Sequence, residues 1–414
     1  MGKVHVRRAA GAAGEPPSRL LTVALWVVST ATAVVLIILR LLQIAQQEAG
    51  VDLEFYLRAT QSMVEGGSPY DEPGYVYSPL IAIMLSPFVA APNIVVLWGG
   101  GSLVACLVAI AATVATAWPY LGSWQRPILA LVATVTLLPD HATQLQLVLG
   151  QTDTFVLAFT AVALLLAAHH RSAWSGALLT IPALIKTWPA LFFVWFLRRG
   201  ARERWRWIVG AVATAGLFIA GVSITAGPSE IGRWIARTLD MSVQPLVVWS
   251  AWAVGRELFT ESGHFVPIMV SPGVAIAVGL LLSAAVVAAT LLALIWPGDS
   301  GLSLWHIVGA TVLLLPVSHQ NYHVLFLPLL WLWLALAMRS GWHPVALAGF
   351  AFNVIRWAMP FITDWMPVDS RWKYLAIMLT TVTTLVASAG LATRLPRRAG
   401  TSSPLARERD GVAH

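Results

Sequence analysis

The chain is poor in cysteine and poor in charge. Its single cysteine, Cys106, excludes an internal disulfide framework and any multi-cysteine metal site. Only 11% of the 414 residues are charged, against about 25% in a typical soluble domain. So few charges cannot cover the surface of a water-soluble fold this size. Disorder is excluded too, because 58% of the residues are hydrophobic. What remains is an integral membrane protein. The net charge of +7 raises nucleic acid as a partner, but its distribution argues for something else. Lys3, Arg7, Arg8 and Arg19 precede the first apolar run. Arg198, Arg199, Arg202, Arg204 and Arg206 share one loop, and Arg394, Arg397, Arg398, Arg407 and Arg409 lie in the C-terminal tail. These are more than half of the 26 basic side chains. Short Lys/Arg-rich segments beside spans stay cytoplasmic. Both termini are therefore expected inside, with an even number of spans. Topology accounts for the pattern without an anionic-lipid or nucleic-acid patch, and no nucleic-acid partner is expected.

The segment after the first apolar run has the opposite balance. Glu48, Asp52, Glu54, Glu65, Asp71 and Glu72 stand against the single base Arg58, so it is expected outside. The run Leu20 to Leu39 is long enough to cross a bilayer. It is too long for a signal-peptide core and reads as an uncleaved anchor. Apolar runs recur at roughly 20–42, 78–92, 93–118, 126–140, 146–168, 173–197, 206–226, 268–296, 303–318, 322–338, 343–359 and 373–393. The expected fold is all-α and polytopic, with about twelve transmembrane helices. One membrane domain, 20–393, lies between basic cytoplasmic tails at 1–19 and 394–414, with outer-face loops at 43–77 and 227–267. Pro87, Pro139, Pro182 and Pro189 shorten or interrupt several runs. Broken helices at membrane depth are tolerated where they line a protein cavity. Trp234, Trp249 and Trp252 suit the second loop to the membrane interface. The twelve-span count puts the weakly basic His169-His170-Arg171 loop outside. The alternative makes 126–140 with 146–168, and 173–186 with 187–197, re-entrant hairpins.

Ionisable groups in or beside spans are costly and usually functional. Asp52, just past the first span, is an outward-facing carboxylate placed to meet a substrate, or else a helix-capping acid. Glu54, two residues on, would face elsewhere on a helix. Tyr75 and Tyr77 precede Pro79, which suits a first helical turn. They are a site wall or an ordinary aromatic belt. Asp140 and His141 follow a short span and precede Gln151 and Asp153, as a structural network or a site wall. Lys186 is a lone mid-segment cation, which suits a lipid phosphate or a buried acid. Ser318-His319-Gln320-Asn321-Tyr322-His323 interrupts two apolar runs at the expected outer face. His319 and His323 are four apart, but no nearby acid completes a ligand set, so no metal is expected. Arg356 adds an outward cation, while Arg371 and Lys373 read as interfacial anchors. An outward-facing acid with cations around it fits transfer from a lipid-linked phosphate donor.

Four stretches carry a family resemblance: Val51-Asp52-Leu53 with Tyr56; Tyr75 to Pro79 followed by Ser86-Pro87-Phe88; Gly150-Gln151 with Ile185-Lys186 and Pro189; and Pro316-Val317-Ser318 through His323. In order and spacing the chain resembles glycosyltransferase family 87, membrane enzymes of the GT-C type from actinobacteria. That family includes mannosyltransferases dependent on polyprenol-phosphate-mannose and an arabinofuranosyltransferase that uses decaprenyl-phospho-arabinose. The resemblance implies a polyprenyl-phosphate sugar donor, a cell-envelope glycolipid or lipoglycan acceptor at the outer face, and no cofactor or obligatory metal. It implies inversion with Asp52 as general base. His319 or His323 would orient Asp52 or neutralise charge. Lys186 and Arg356, with Tyr77, Gln151 and Asp140, would hold the donor. A secondary transporter would instead require inverted repeats, which are not apparent. A lipid-linked glycan flippase would need no single essential acid.

Overall fold

The computed structural model describes residues 18–199, 201, 203–240, 247–295 and 300–395. Most of the two basic tails, Arg202 and residues 241–246 lie outside the described residues. Every regular element among the described residues is helical, as expected. The α-helices are α1 (Arg19–Ala45), α2 (Val51–Val64), α3 (Pro79–Leu85), α4 (Ile94–Ala117), α5 (Gln125–Leu137), α6 (His141–Leu149), α7 (Asp153–Ala168) and α8 (Ser172–Ile185). They continue with α9 (Arg204–Thr225), α10 (Ser229–Asp240), α11 (Ala253–Phe259), α12 (Pro272–Ile295), α13 (Ser300–Leu314), α14 (Leu327–Arg339), α15 (Pro344–Trp365) and α16 (Ser370–Arg394).

Among the described residues, seven helices are long and apolar enough to cross a membrane, or eight if the pair α5 and α6, bent by 56°, counts as one. Shorter apolar helices run at Pro79–Phe88, Asp153–Ala168, Ser172–Ile185, Trp188–Leu197 and Gly301–Leu314. The expected twelve is therefore not reached by length and apolarity alone. The chain is a polytopic membrane protein built from long helices and short, interrupted ones. α1 buries only Ser29 and Ile44, so nearly its whole apolar surface faces outward. The segment Gln320–Arg339 is the reverse, with its apolar window wholly buried at the centre. A helix that is hydrophobic all round belongs in a core or a membrane. α8 and α9 cross closely. A side chain on Gly176 would meet the Trp207 carbonyl, and one on Gly210 the Ala173 carbonyl. Small residues of this kind let helix backbones approach without a hydrophobic drive.

The molecule has two chemically distinct ends. At one end, Ser68 Oγ donates to the Glu230 carboxylate (2.5 Å) and Arg237 reaches the Tyr70 carbonyl (3.4 Å), so the loops around α2 and α10 lie together. At the other, Gln125 donates to the Met338 carbonyl (3.0 Å), Arg339 stacks over Tyr120 and Ser172 donates to Glu203 (2.8 Å). α7 spans the distance between the ends. Its first residue, Asp153, pairs with Lys186 at the end of α8. Its last turn leads to His169-His170-Arg171, roughly 24 Å away at 1.5 Å per residue. The expectation that this loop shares a face with 43–77 is thus corrected. α3 turns back after seven residues, and a second helix-like segment, Trp188–Leu197, follows α8. These two changes move the loop to the end that carries Glu203 and its neighbouring arginines.

Candidate active site

Asp52 sits in the first turn of α2, whose N-cap is Gly50. α6 ends at Gly150, which adopts the left-handed conformation with φ 75°. A side chain on Gly150 would strike Leu53, and one on Gly50 would strike the Val148 carbonyl. These two glycines let the start of α2 lie against the end of α6. Asp52 thereby faces Gln151, a hundred residues away in sequence. Trp98 clamps the junction by donating its indole N–H to the Gly150 carbonyl (2.9 Å).

The next wall comes from Tyr77, just before the proline-initiated α3. The Pro79 start expected from the sequence is present. Tyr77 Oη donates to Asp52 Oδ1 at 2.8 Å and lies 3.4 Å from Gln151 Oε1. Burial pushes the Tyr77 phenol well above its ordinary value, with Tyr56 and Asp52 adding to the effect. The phenol therefore stays protonated and donates. Burial also raises the Asp52 carboxyl above its ordinary 3.8, against the opposing hydrogen bond from Tyr77 and the nearby positive charge of Lys186. A partly desolvated carboxylate of this kind is a stronger proton acceptor than a free one.

α8 contains Pro182 and ends at Lys186, whose backbone is extended. The chain then turns into the segment beginning Trp188-Pro189. This break points the Lys186 ammonium back toward α7. It donates to Asp153 Oδ1 and Oδ2 at 2.8 and 3.0 Å and to Gln151 Oε1 at 2.8 Å. The pair is deeply buried, with 4% and 0% side-chain exposure for Lys186 and Asp153. Gln146 completes it, donating to Asp153 Oδ2 (2.8 Å) and to the Asn321 carbonyl (2.9 Å). The buried acid expected as one partner of Lys186 is therefore Asp153. Lys186 also lies over the Tyr322 ring at 4.5 Å, and Tyr322 stacks on Trp188.

Asp52, Tyr77, Gln151, Lys186 and His319 all line one cavity of 480 Å³. That volume is within the usual range for a small-molecule site, about 300–1,000 Å³. Trp188, Asn321 and Tyr322 complete its far wall, and Thr238 of α10 closes one side. His319 is pushed down to about 4, first by burial and then by Lys186. It is therefore neutral at pH 7 and adds no positive charge to the cavity wall. Glu54 faces away from the cavity, pairing with Arg58 on the surface, as the helical spacing suggests.

Three expected site residues lie elsewhere. Asp140, His323 and Arg356 surround a separate space of about 10 Å³, which holds no more than a single water. Gln320 borders both spaces. Asp140 caps α6, accepting from the Thr143 amide at 3.2 Å, so its role includes the capping function common to such acids. Sequence reasoning placed Asp153 near the site but not as the partner of Lys186, and it missed Gln146 and Trp188. Gln146 is five residues before Gln151 and carries no motif. Only the turn at Gly150 brings both amides to one place.

No curated protein sequence matches this chain. The family model of glycosyltransferase family 87 matches residues 75–318. That stretch is more than half of the chain and holds Tyr77, Gln151, Asp153 and Lys186. An all-helical membrane fold with this buried polar wall therefore belongs to a glycosyltransferase family: the chain is a member of glycosyltransferase family 87.

Proposed function

We propose that this enzyme transfers a mannosyl residue from a polyprenyl-phosphate donor to a cell-envelope glycolipid or lipoglycan, with inversion and Asp52 as general base. The observation that carries it is the continuous chain Asp52–Tyr77–Gln151–Lys186 in the wall of a single cavity. In the proposed step the acceptor hydroxyl oxygen attacks the anomeric carbon. The bond from that carbon to the phosphate oxygen breaks, and polyprenyl phosphate leaves with the electron pair. The acceptor proton passes to Asp52. The leaving group is already a stable anion, so the site must stabilise charge rather than supply a strong acid.

Lys186 is the cation among the residues lining the cavity, which directs the donor phosphate to its side. Asp153 holds that ammonium in place and Gln151 links it to Tyr77. Arg356 and His323 take no part in this proposal, since they border the other space. Basic segments belong on the cytoplasmic side, so the cavity end is proposed to face outward, with both termini inside.

The test is purified Asp52→Asn, assayed with polyprenol-phosphate-mannose and a glycolipid acceptor. A positioned general base contributes about 10²–10⁴-fold, and turnover should fall by that order while donor binding persists. Full transfer by the variant would remove Asp52 from the mechanism. A parallel assay with decaprenyl-phospho-arabinose assigns the sugar: transfer from that donor alone would replace mannose by arabinofuranose.

A further inference from the structure

A second concavity of 350 Å³ lies outside the catalytic cavity, between α11 and α12. Its floor is a stripe of α12 made of Ala275, Gly279 and Ser283, and its rim carries Ile276 and Leu280. These two rim residues are 64% and 66% exposed on a helix apolar enough to span a membrane. In a bilayer this groove therefore faces hydrocarbon along its length. The facing wall from α11 is different, because it supplies Trp252, Arg256 and Thr260. A cation beside a hydrocarbon-facing groove must find an anion or water.

The state of Arg256 shows which anion fits. Its Nη2 donates to Glu257 and its Nε is buried without a hydrogen-bond partner, so the exposed part of the guanidinium is what an outside anion can reach. Glu257 is also served by His264, through the backbone N–H at 2.9 Å and the ring Nδ1 at 3.0 Å. One carboxylate thus shares its two oxygens between Arg256 and His264. A guanidinium offers five N–H donors in a planar fork suited to phosphate oxygens, and the Arg256 side chain remains 32% exposed.

We propose that this groove is a binding site for one anionic phospholipid, with an acyl chain along the α12 stripe and the phosphate on Arg256. The site is joined to the catalytic cavity through its own wall. Trp252 donates its indole N–H to the Leu315 carbonyl at 2.8 Å, and the Trp249 amide donates to the Ser318 carbonyl at 2.7 Å. A bound lipid therefore steadies the segment that holds the turn preceding His319.

The test uses the full chain in nanodiscs of phosphatidylcholine containing graded phosphatidylglycerol, with retained lipids counted by native mass spectrometry. The wild type should retain one phosphatidylglycerol in preference to phosphatidylcholine. Arg256→Gln should lower that preference roughly tenfold, as expected for one charged hydrogen-bonded contact. Ser283→Leu fills the floor without touching Glu257. It should abolish retention, and it should remove the rise in melting temperature that phosphatidylglycerol gives the wild type. Equal retention of the two lipids by the wild type would overturn the proposal. So would unchanged retention in Ser283→Leu, or displacement of the retained lipid by polyprenyl phosphate. None of these readouts depends on sugar transfer, so they stand apart from the fate of the proposed reaction.

Discussion

On the Asp52 carboxylate two influences oppose one another. Burial raises its pKa, while the Tyr77 hydroxyl and the charge of Lys186 lower it, and burial prevails. A base must be ionised to act, so transfer should fail as pH drops through a value above 3.8. Tyr77→Phe removes a donor that favours the carboxylate. The acid limb of the pH–rate profile should then move to higher pH, with little change at the alkaline side. An unmoved limb would show that Asp52 does not titrate in the observed range. Lys186 and Asp153 allow a sharper separation of roles. Removing one member of a buried pair costs about 3–5 kcal/mol, because the other charge is left uncompensated. Lys186→Met should therefore be strongly destabilised, and the double variant Lys186→Met with Asp153→Asn should recover most of the stability. If Lys186 also holds the donor phosphate, the double variant will melt near the wild type yet show a raised KM for the donor. Recovery of both stability and KM would make the pair purely structural. Lys186 was legible in the sequence as a lone charge in apolar surroundings, and Asp52 as a carboxylate just past the first span. Arg356, another cation among apolar residues, and His323, in a polar turn between apolar runs, stood out as well and still lie outside the cavity. Scarcity marks a charge as important but does not say which space it faces.

At the scale of elements, the site depends on where helices stop. Gly150 ends α6 with φ 75° and packs against Leu53. A left-handed conformation costs an ordinary residue about 1–2 kcal/mol, and a side chain here would also push α2 away. Gly150→Val should lower turnover far more than its stability loss alone predicts, measured as kcat against melting temperature. Equal and small effects on both would mean that the contact of α2 with α6 does not set the position of Asp52. The breaks at Pro79 and Pro189 were legible because proline fixes φ and lacks an N–H. The short return at α3 was not, and Trp188–Leu197 was legible only as one arm of the alternative hairpin 173–186 with 187–197. A continuous apolar run looks the same whether it crosses once, doubles back or changes its hydrogen-bonding pitch.

For the whole molecule, charge and chemistry separate along one axis. The polar network of Asp52, Asp153 and Lys186 lies at one end, and Glu203 with its neighbouring arginines lies at the other. The all-helical membrane class followed from composition and hydropathy, which also put the loops 43–77 and 227–267 on one face; that they meet at α2 came only from packing. Nor was the end reached by residues 169–171 legible, because two histidines and one arginine are too weak a signal to orient a loop. Packing decides it, through the contact of Ser172 with Glu203. The proposed orientation can be tested with single cysteines, since the native Cys106 is buried and gives little background. Glu54 and Arg206 have side chains that are 49% and 61% exposed, and His170 is exposed as well. With a membrane-impermeant maleimide on intact cells, Glu54→Cys should label. His170→Cys and Arg206→Cys should label only after the membrane is opened. Labelling of His170→Cys together with Glu54→Cys from outside would contradict the arrangement of α7 and α8. Labelling of His170→Cys and Arg206→Cys without Glu54→Cys would reverse the whole orientation and put the cavity on the cytoplasmic side.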